Sequence, residues 1–151
     1  MFNFILGEIM KLKVLLIAFV LFSFTAFAKE ISVPAPVKTA FAKLYPTIKK
    51  VAWDKEGTNY EASFKDKVDM SLLFASDGKL LETETTIPIS QLPEGVTSYI
   101  KEHYKKAVIK DAAKIVKSSG ETVFEAEVKI NNKSKDLMFD SNGKFIPKTK
   151  K

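Results

Sequence analysis

The stretch LMFDSNGKFI, Leu137 to Ile146, repeats a phrase that stands earlier in the chain as LLFASDGKLL, Leu72 to Leu81. In each phrase alternating apolar residues lead into a turn pair, Asp77-Gly78 in the first and Asn142-Gly143 in the second. Asp-Gly and Asn-Gly supply the positive φ angles that tight hairpin turns require. Each phrase therefore predicts a β-hairpin, and the repetition predicts one structural unit used twice.

A short helix is predicted ahead of the strands in each copy, within residues 33–46 and 92–105. Apolar residues recur there at the spacing of one helix face, namely Val37, Phe41 and Tyr45 in the first copy and Val96, Ile100 and Tyr104 in the second. Pro34 and Pro93 stand near the predicted helix starts, where a missing N–H costs little.

Strands follow the helices. Tyr60, Ala62 and Phe64 alternate with polar residues, and the second copy repeats the alternation across 122–130. Period two with one apolar face is typical of half-buried antiparallel strands. Each copy is thus helix, strand, strand, strand, turn, strand. The second copy is a few residues longer, and we expect the extra residues at the hairpin around KSSGE, 117–121.

The predicted fold class is α+β, with two tandem copies of a helix plus an antiparallel β-meander, at about 33–86 and 92–146. A domain of ~60 residues buries only ~60% of its unfolded surface and is marginal alone. The linker between the copies is short and punctuated by proline. We therefore expect one domain across 29–151, with the copies sharing either one core or one continuous sheet.

Residues 1–28 are predicted to be a signal peptide. Lys11 and Lys13 precede an apolar run from Val14 to Phe24, and Ala26-Phe27-Ala28 follows as a cleavage site. The run is shorter than the ~20 apolar residues of a membrane-spanning helix. Cleavage near Ala28 would deliver a periplasmic protein without a membrane span, and the absence of cysteine excludes a lipoprotein. The alternative is an uncleaved N-terminal anchor.

The charge of the chain argues against nucleic-acid recognition. The net charge is +6, but every basic residue is a lysine. Arginine is the residue that reads phosphates in a fixed two-pronged geometry, whereas lysine is a hydrated point charge. A lysine-rich surface is therefore the favoured interpretation.

No arrangement of residues predicts catalysis. Ser76 and Lys79 have the Ser-x-x-Lys spacing of serine β-lactamases, and so do Ser141 and Lys144. That chemistry needs the serine to open a helix, whereas both pairs here stand at predicted hairpin tips. We therefore predict that the protein is not an enzyme.

No cofactor and no metal is predicted. His103 is the only histidine, and Asp140, Asn142 and Gly143 match only part of a calcium loop. Glu82 and Glu84 share one face of a strand and could form a site, but two solvated carboxylates are the preferred interpretation.

The aromatic residues supply the candidate binding site. Large amphipathic rings anchor many protein interfaces, and Trp53, Tyr60 and Tyr99 are the candidates for such a role. Trp53 shares a strand face with Val51, so the favoured alternative for Trp53 is a core position. The other aromatic residues on apolar stripes are assigned to the core, namely Phe41, Tyr45, Phe64, Phe74, Phe124 and Phe139.

The whole predicted mature chain resembles the PepSY-like family of exported bacterial proteins, also described as β-lactamase-inhibitor-like. The resemblance rests on a series of short motifs that run through both copies, namely Pro34-x-x-Val37, Tyr45-Pro46, Val51-x-Trp53, Tyr60-Glu61-Ala62-x-Phe64, Phe74-x-x-Asp77-Gly78-Lys79 and Leu92-Pro93. The resemblance implies a periplasmic αβ-repeat domain with an open sheet face. It also implies binding or inhibition of protein partners, without established site residues.

Three functions remain open from the sequence. The first is a non-enzymatic periplasmic module that binds an unknown exported protein through a sheet face or hairpin tips. The second is a carrier or sensor of a small molecule, which requires a cavity between helices and sheet. The third is an inhibitor that inserts ASDGK (75–79) or DSNGK (140–144) into an active site.

Overall fold

The computed structural model describes residues 31–147, so the predicted signal peptide, 1–28, lies outside the described residues. Two helices and eight strands follow one another along the chain, as α1 (Ala35–Leu44), β1 (Val51–Glu56), β2 (Asn59–Lys65), β3 (Asp69–Phe74), β4 (Leu80–Thr86), α2 (Glu94–His103), β5 (Val108–Lys117), β6 (Thr122–Ile130), β7 (Lys133–Asp140) and β8 (Phe145–Ile146). A single 3₁₀ turn, Ile89–Gln91, precedes α2. The predicted α+β class is confirmed.

The eight strands form one antiparallel sheet in the order β1 to β8, with each strand beside its neighbour in sequence. The halves meet where β4 pairs with β5, and Glu84 stands opposite Ile115 in that pairing. Of the two arrangements left open by the sequence, the continuous sheet is therefore the one observed.

Both helices begin directly after the prolines that the sequence indicated, since Pro34 and Pro93 are the N-cap residues of α1 and α2. Each helix buries two residues of its predicted stripe against the sheet, Val37 and Phe41 in α1 and Val96 and Ile100 in α2. These residues belong to two separate apolar clusters, one in each half of the chain.

The predicted aromatic core is largely confirmed. Phe41, Phe64, Phe74 and Phe139 are buried, while Tyr45 and Phe124 are partly buried at the margins of the same clusters. In the first half the ring of Phe41 packs edge-on against Phe64, with the ring centroids 5.2 Å apart. The assigned rings therefore fill the space between each helix and the sheet.

The two repeated phrases form the β3–β4 and β7–β8 hairpins, with φ of +88° at Gly78 and +79° at Gly143. Each hairpin tip packs against the start of the helix in its own half. A Cβ atom on Gly78 would stand 2.7 Å from the carbonyl oxygen of Pro36, and one on Gly143 would stand 3.0 Å from the Cα of Gly95. The repeated sequence thus forms the same contact between hairpin and helix in each half.

The extra residues of the second half lie at the predicted hairpin. Trp53 pairs with Ala62 in β1–β2, and Ala112 pairs with Ala126 at the corresponding place in β5–β6. Beyond that point β5 continues to Lys117, whereas β1 ends at Glu56. The longer β5–β6 hairpin confirms the prediction made for KSSGE.

Candidate functional site

One face of the sheet carries both helices, and no described helix packs on the other, which we call the open face. Strand alternation and register assign to the open face Ala52, Asp54, Glu56, Asn59, Glu61, Ser63, Lys65, Asp69, Ser71, Leu73, Glu82, Glu84, Thr86, Asp111, Ala113, Ile115, Lys117, Val123, Glu125, Glu127, Lys129, Ser134, Asp136, Met138 and Asp140. Carboxylates outnumber lysines in this set, although the whole chain has a net charge of +6. The open face is therefore acidic on a basic protein.

Glu84 lies in the middle of the open face. Its register partners on either side are Ser71 of β3 and Ile115 of β5. Only 7% of the residue is exposed, and its Oε2 atom has no hydrogen-bond partner among the described residues. An unpaired buried polar atom is costly, so Glu84 is an unusual feature of this sheet.

The charge state of Glu84 reflects its surroundings. Burial, together with the negative charges of Glu61 and Glu82, raises the pKa of Glu84 to about 8. Burial disfavours the charged form of a carboxyl group, and nearby carboxylates act in the same direction. At neutral pH the Glu84 side chain is therefore mostly protonated.

Glu61 and Glu56 form a second pair of carboxyl groups on the open face. Glu61 is 7% exposed, and its carboxylate accepts hydrogen bonds from the Ser71 hydroxyl and from Glu56. Burial and the neighbouring charge of Glu61 raise the pKa of Glu56 to about 7. Burial also raises the pKa of Glu61 itself. The acidic region thus extends from β1 to the centre of the sheet.

A cleft of about 70 Å³ lies beside Glu84 on the open face. Its lining residues come from β3 to β6 and are mostly acidic, namely Asp69, Glu84, Thr86, Asp111, Ala112, Ala113, Glu125 and Glu127. No residue in this lining carries a positive charge. The cleft is therefore a strongly acidic concavity at the centre of the sheet.

Apolar side chains flank the acidic region. Ile115, Val123 and Met138 are buried on the open face and form a cluster with Ile146 of β8. Leu73, on the same face, is 3% exposed. The open face thus combines a carboxylate-lined cleft with neighbouring apolar side chains that are buried.

The burial of Glu84 corrects the expectation from the sequence. The interpretation of Glu82 and Glu84 as two solvated carboxylates was wrong for Glu84, which is buried, and burial also raises the pKa of Glu82. The sequence showed only that Glu82 and Glu84 share one face of a strand. Whether that face is buried depends on which strands lie on either side of β4.

The three predicted aromatic site residues are not brought together. Trp53 and Tyr60 lie on the helix side of β1 and β2, partly buried against the first cluster. Tyr99 lies on α2 in the other half, where its ring stacks on Phe145 with the centroids 4.6 Å apart. Their role in binding stays a prediction.

The structure confirms the hairpin geometry expected of the Ser-x-x-Lys pairs. Ser76 and Lys79 are exposed at the β3–β4 turn, where the Asp77 carboxylate accepts a hydrogen bond from the Lys79 backbone N–H at 2.9 Å. Neither Ser76 nor Ser141 opens a helix. The helical geometry that activates such a serine is therefore missing here.

Two concavities lie on the open side of the sheet. Besides the acidic cleft, a shallow concavity of about 300 Å³ is lined by residues that include Leu73, Glu82 and Lys117. Neither concavity lies between a helix and the sheet, so neither supports the carrier hypothesis. Across 31–147, no group of three or more His, Cys, Asp or Glu residues could hold a metal ion. No helix within this range is long and apolar enough to cross a membrane.

The sequence matches the model of a protein family twice, over residues 26–82 and 73–147. The family is described as "Putative beta-lactamase-inhibitor-like, PepSY-like". The chain belongs to this PepSY-like family. The two matches overlap at 73–82 and together span the whole sheet. The resemblance noted from the sequence motifs is confirmed.

Solved structures share the fold. A BLIP-like protein from Bacteroides fragilis is 27% identical, with a TM-score of 0.57 over 76% of this chain and 84% of that chain. A DUF2874 family protein from Bacteroides uniformis is 22% identical, with a TM-score of 0.66 over 76% and 86%. A protein from Bacteroides eggerthii, described among "putative periplasmic proteins", is 19% identical, with a TM-score of 0.67 over 76% and 86%. No curated protein matches the sequence.

Proposed function

We propose that this PepSY-like chain is an exported, non-enzymatic module that binds another exported protein on its open face. The single observation that carries the proposal is a continuous sheet with a helix-covered face and an open face that holds buried carboxylates. A buried polar atom without a partner lowers stability, so the unpaired Oε2 atom of Glu84 on this uncovered face favours a binding role over a purely structural one.

Export is part of the proposal. The pattern of residues 1–28 supports a signal peptide cleaved near Ala28, and the periplasm is the compartment that such cleavage serves in bacteria. We further propose that the halves, about 33–86 and 92–146, are copies of one unit. Each begins with a helix that follows a proline, and each carries a hairpin tip packed on that helix.

The open face supports protein binding better than the hairpin tips do. An inhibitor that inserts a hairpin into an active site needs a tip that projects freely. Here the backbones of Gly78 and Gly143 lie against the starts of α1 and α2. We therefore place inhibition, if the partner is an enzyme, on the open face. A partner contact through Trp53, Tyr60 or Tyr99 is kept as a separate proposal.

The test is capture of a partner from native periplasmic extract by the mature chain, followed by mass spectrometry. Glu127→Lys reverses a charge beside the acidic cleft, and the matched control Glu102→Lys makes the same change on the exposed surface of α2. We expect one stoichiometric partner, lost with Glu127→Lys and retained with Glu102→Lys. Equal capture by both variants, or a small molecule as the only co-purifying species, would reject the proposal.

A further inference from the structure

The acidic cleft contains a feature that protein binding in general does not require. The Oε2 atom of Glu84 is buried, lacks a hydrogen-bond partner among the described residues and belongs to a side chain that lines the cleft. A side chain in this position offers a ready acceptor to a donor that enters from outside. The carboxylate form of Glu84 only accepts hydrogen bonds, so an occupant that pairs with that form brings a hydrogen-bond donor.

The charge around the cleft specifies the donor further. Asp69, Asp111 and Glu127 line the cleft together with Glu84. Two lysines of the open face lie in other ion pairs, Lys65 of β2 with Asp69 at 3.7 Å and Lys117 of β5 with Glu121 at 2.9 Å. Neither lysine lines the cleft. Several carboxylates around one small cleft attract a cation. A positively charged donor suits both this acidic lining and the missing hydrogen bond of Glu84.

The size of the cleft and its ligand geometry limit the choice of cation. A volume of about 70 Å³ accommodates the end of one side chain. Ca²⁺ and Mg²⁺ each need about six or more oxygen ligands at short distances. No group of three or more His, Cys, Asp or Glu residues in the described range has that arrangement. A cationic side chain needs only one well-placed acceptor and a negative field.

We propose that a lysine ammonium or arginine guanidinium of the polypeptide partner enters this cleft and donates a hydrogen bond to Oε2 of Glu84. The inference rests on the proposed function, because it names the chemistry by which the open face holds its partner. Glu84 is then the anchoring residue. The remaining carboxylates of the lining supply the field that favours a positive charge.

The proposed contact changes the protonation of Glu84. Because burial and neighbouring carboxylates raise the pKa of Glu84, the free protein holds a proton there at neutral pH. A bound cation favours the carboxylate, so the Glu84 proton passes to solvent when the complex forms. The groups that face Glu84 from adjacent strands are Ser71 and Ile115, with the charges of Glu61, Glu82, Glu56 and Asp136 acting from further away. None of these groups is a cation that could replace the ligand.

The experiment uses hexalysine as the probe and the mature chain as the receptor, with calorimetry at low ionic strength in two buffers of different ionisation enthalpy. Glu84→Gln keeps the shape of the protonated side chain and removes its capacity to ionise. The matched control Glu102→Gln makes the same change on the exposed surface of α2. Fully acetylated hexalysine, which lacks the ammonium groups, serves as the second control.

We expect hexalysine to bind with proton release. Glu84→Gln should weaken binding about tenfold and abolish the proton release, whereas Glu102→Gln should change affinity less than about threefold. If Glu84→Gln and the unmodified chain bound hexalysine with equal affinity, the proposed contact with Glu84 would be wrong. Saturable binding of CaCl₂ that Glu84→Gln removes would overturn it in favour of a metal. If hexalysine binding does not depend on Glu84 but Glu127→Lys still abolishes partner capture, the contact with Glu84 is wrong and the proposed function stands.

Discussion

The backbone of Gly78 lies directly against the carbonyl group of Pro36, so closely that a Cβ atom on Gly78 would stand 2.7 Å from that oxygen. Pro36 lies in the first turn of α1, and Gly78 forms the tip of the β3–β4 hairpin. The same relationship recurs between Gly95 and Gly143 in the second half. The contact joins the helix to the far end of its own meander and explains why the hairpin phrase is repeated.

Gly78→Ala is predicted to destabilise the protein through both the close contact and the backbone angle. Its φ is +88°, and Gly120 offers a matched control with a φ of +86° but nothing within 4 Å of its Cβ position. We expect Gly78→Ala to lower the free energy of unfolding by about 2–4 kcal/mol and Gly120→Ala by about 1 kcal/mol. Urea denaturation measures both. Equal losses would show that the helix contact contributes nothing.

The stability of the protein is predicted to fall as the pH rises from about 5 to 9. The pKa of Glu84 is raised to about 8 in the folded state, against an ordinary value of 4.5. The stability linked to this group is therefore fully present below its unfolded pKa and is lost as the pH rises through its folded pKa.

Glu84→Gln should reduce this dependence and leave the part that comes from Glu56, Glu61 and Glu82, whose pKa values are also raised. The variant should match the unmodified chain near pH 5 and exceed its free energy of unfolding at pH 9 by on the order of 2 kcal/mol. Glu102→Gln on α2 is the control and should follow the unmodified chain at every pH. Urea denaturation at several pH values measures the effect. Parallel pH profiles for all three proteins would contradict the placement of Glu84 in a buried site.

The two halves are predicted to unfold together, because β4 and β5 are paired within one sheet. The only tryptophan, Trp53, lies in the first half and packs against Phe41 with the ring centroids 5.5 Å apart. Phe139 is fully buried in the cluster of the second half. Tryptophan fluorescence thus reports on one half while a substitution perturbs the other.

Phe139→Ala should shift the transition of Trp53 fluorescence in urea, with a loss of about 3–5 kcal/mol in the free energy of unfolding. Phe74→Ala, in the first cluster, should shift the same transition by a similar amount. If Phe139→Ala left the fluorescence transition unchanged while circular dichroism showed an earlier separate transition, the halves would be independent.

Much of this fold could be predicted from local patterns. Pro34 and Pro93 marked the helix starts, and Asp77-Gly78 and Asn142-Gly143 marked two hairpins, because these features depend on residues close together in sequence. The pairing of β4 with β5 joins the two copies, and it was one of two arrangements that the sequence left open.

The candidate site could not be predicted to the same degree. The alternation in β4 placed Glu82 and Glu84 on one face but gave no reason for burial. The burial of Glu84 requires Ser71 and Ile115 on either side, and those neighbours come from β3 and from β5 of the other half. The aromatic residues were chosen for their size, a property that core and interface positions share.

Site-specific photo-cross-linking tests the central claim, that the partner binds the open face, most directly. A photoreactive amino acid would replace Ser63 or Ser134 on the open face, with Thr39 on α1 and Ser98 on α2 as matched small polar positions on the exposed helix surfaces. We predict one cross-linked partner from Ser63 and Ser134 and none from Thr39 and Ser98. Cross-links that formed only from Thr39 and Ser98 would contradict the account.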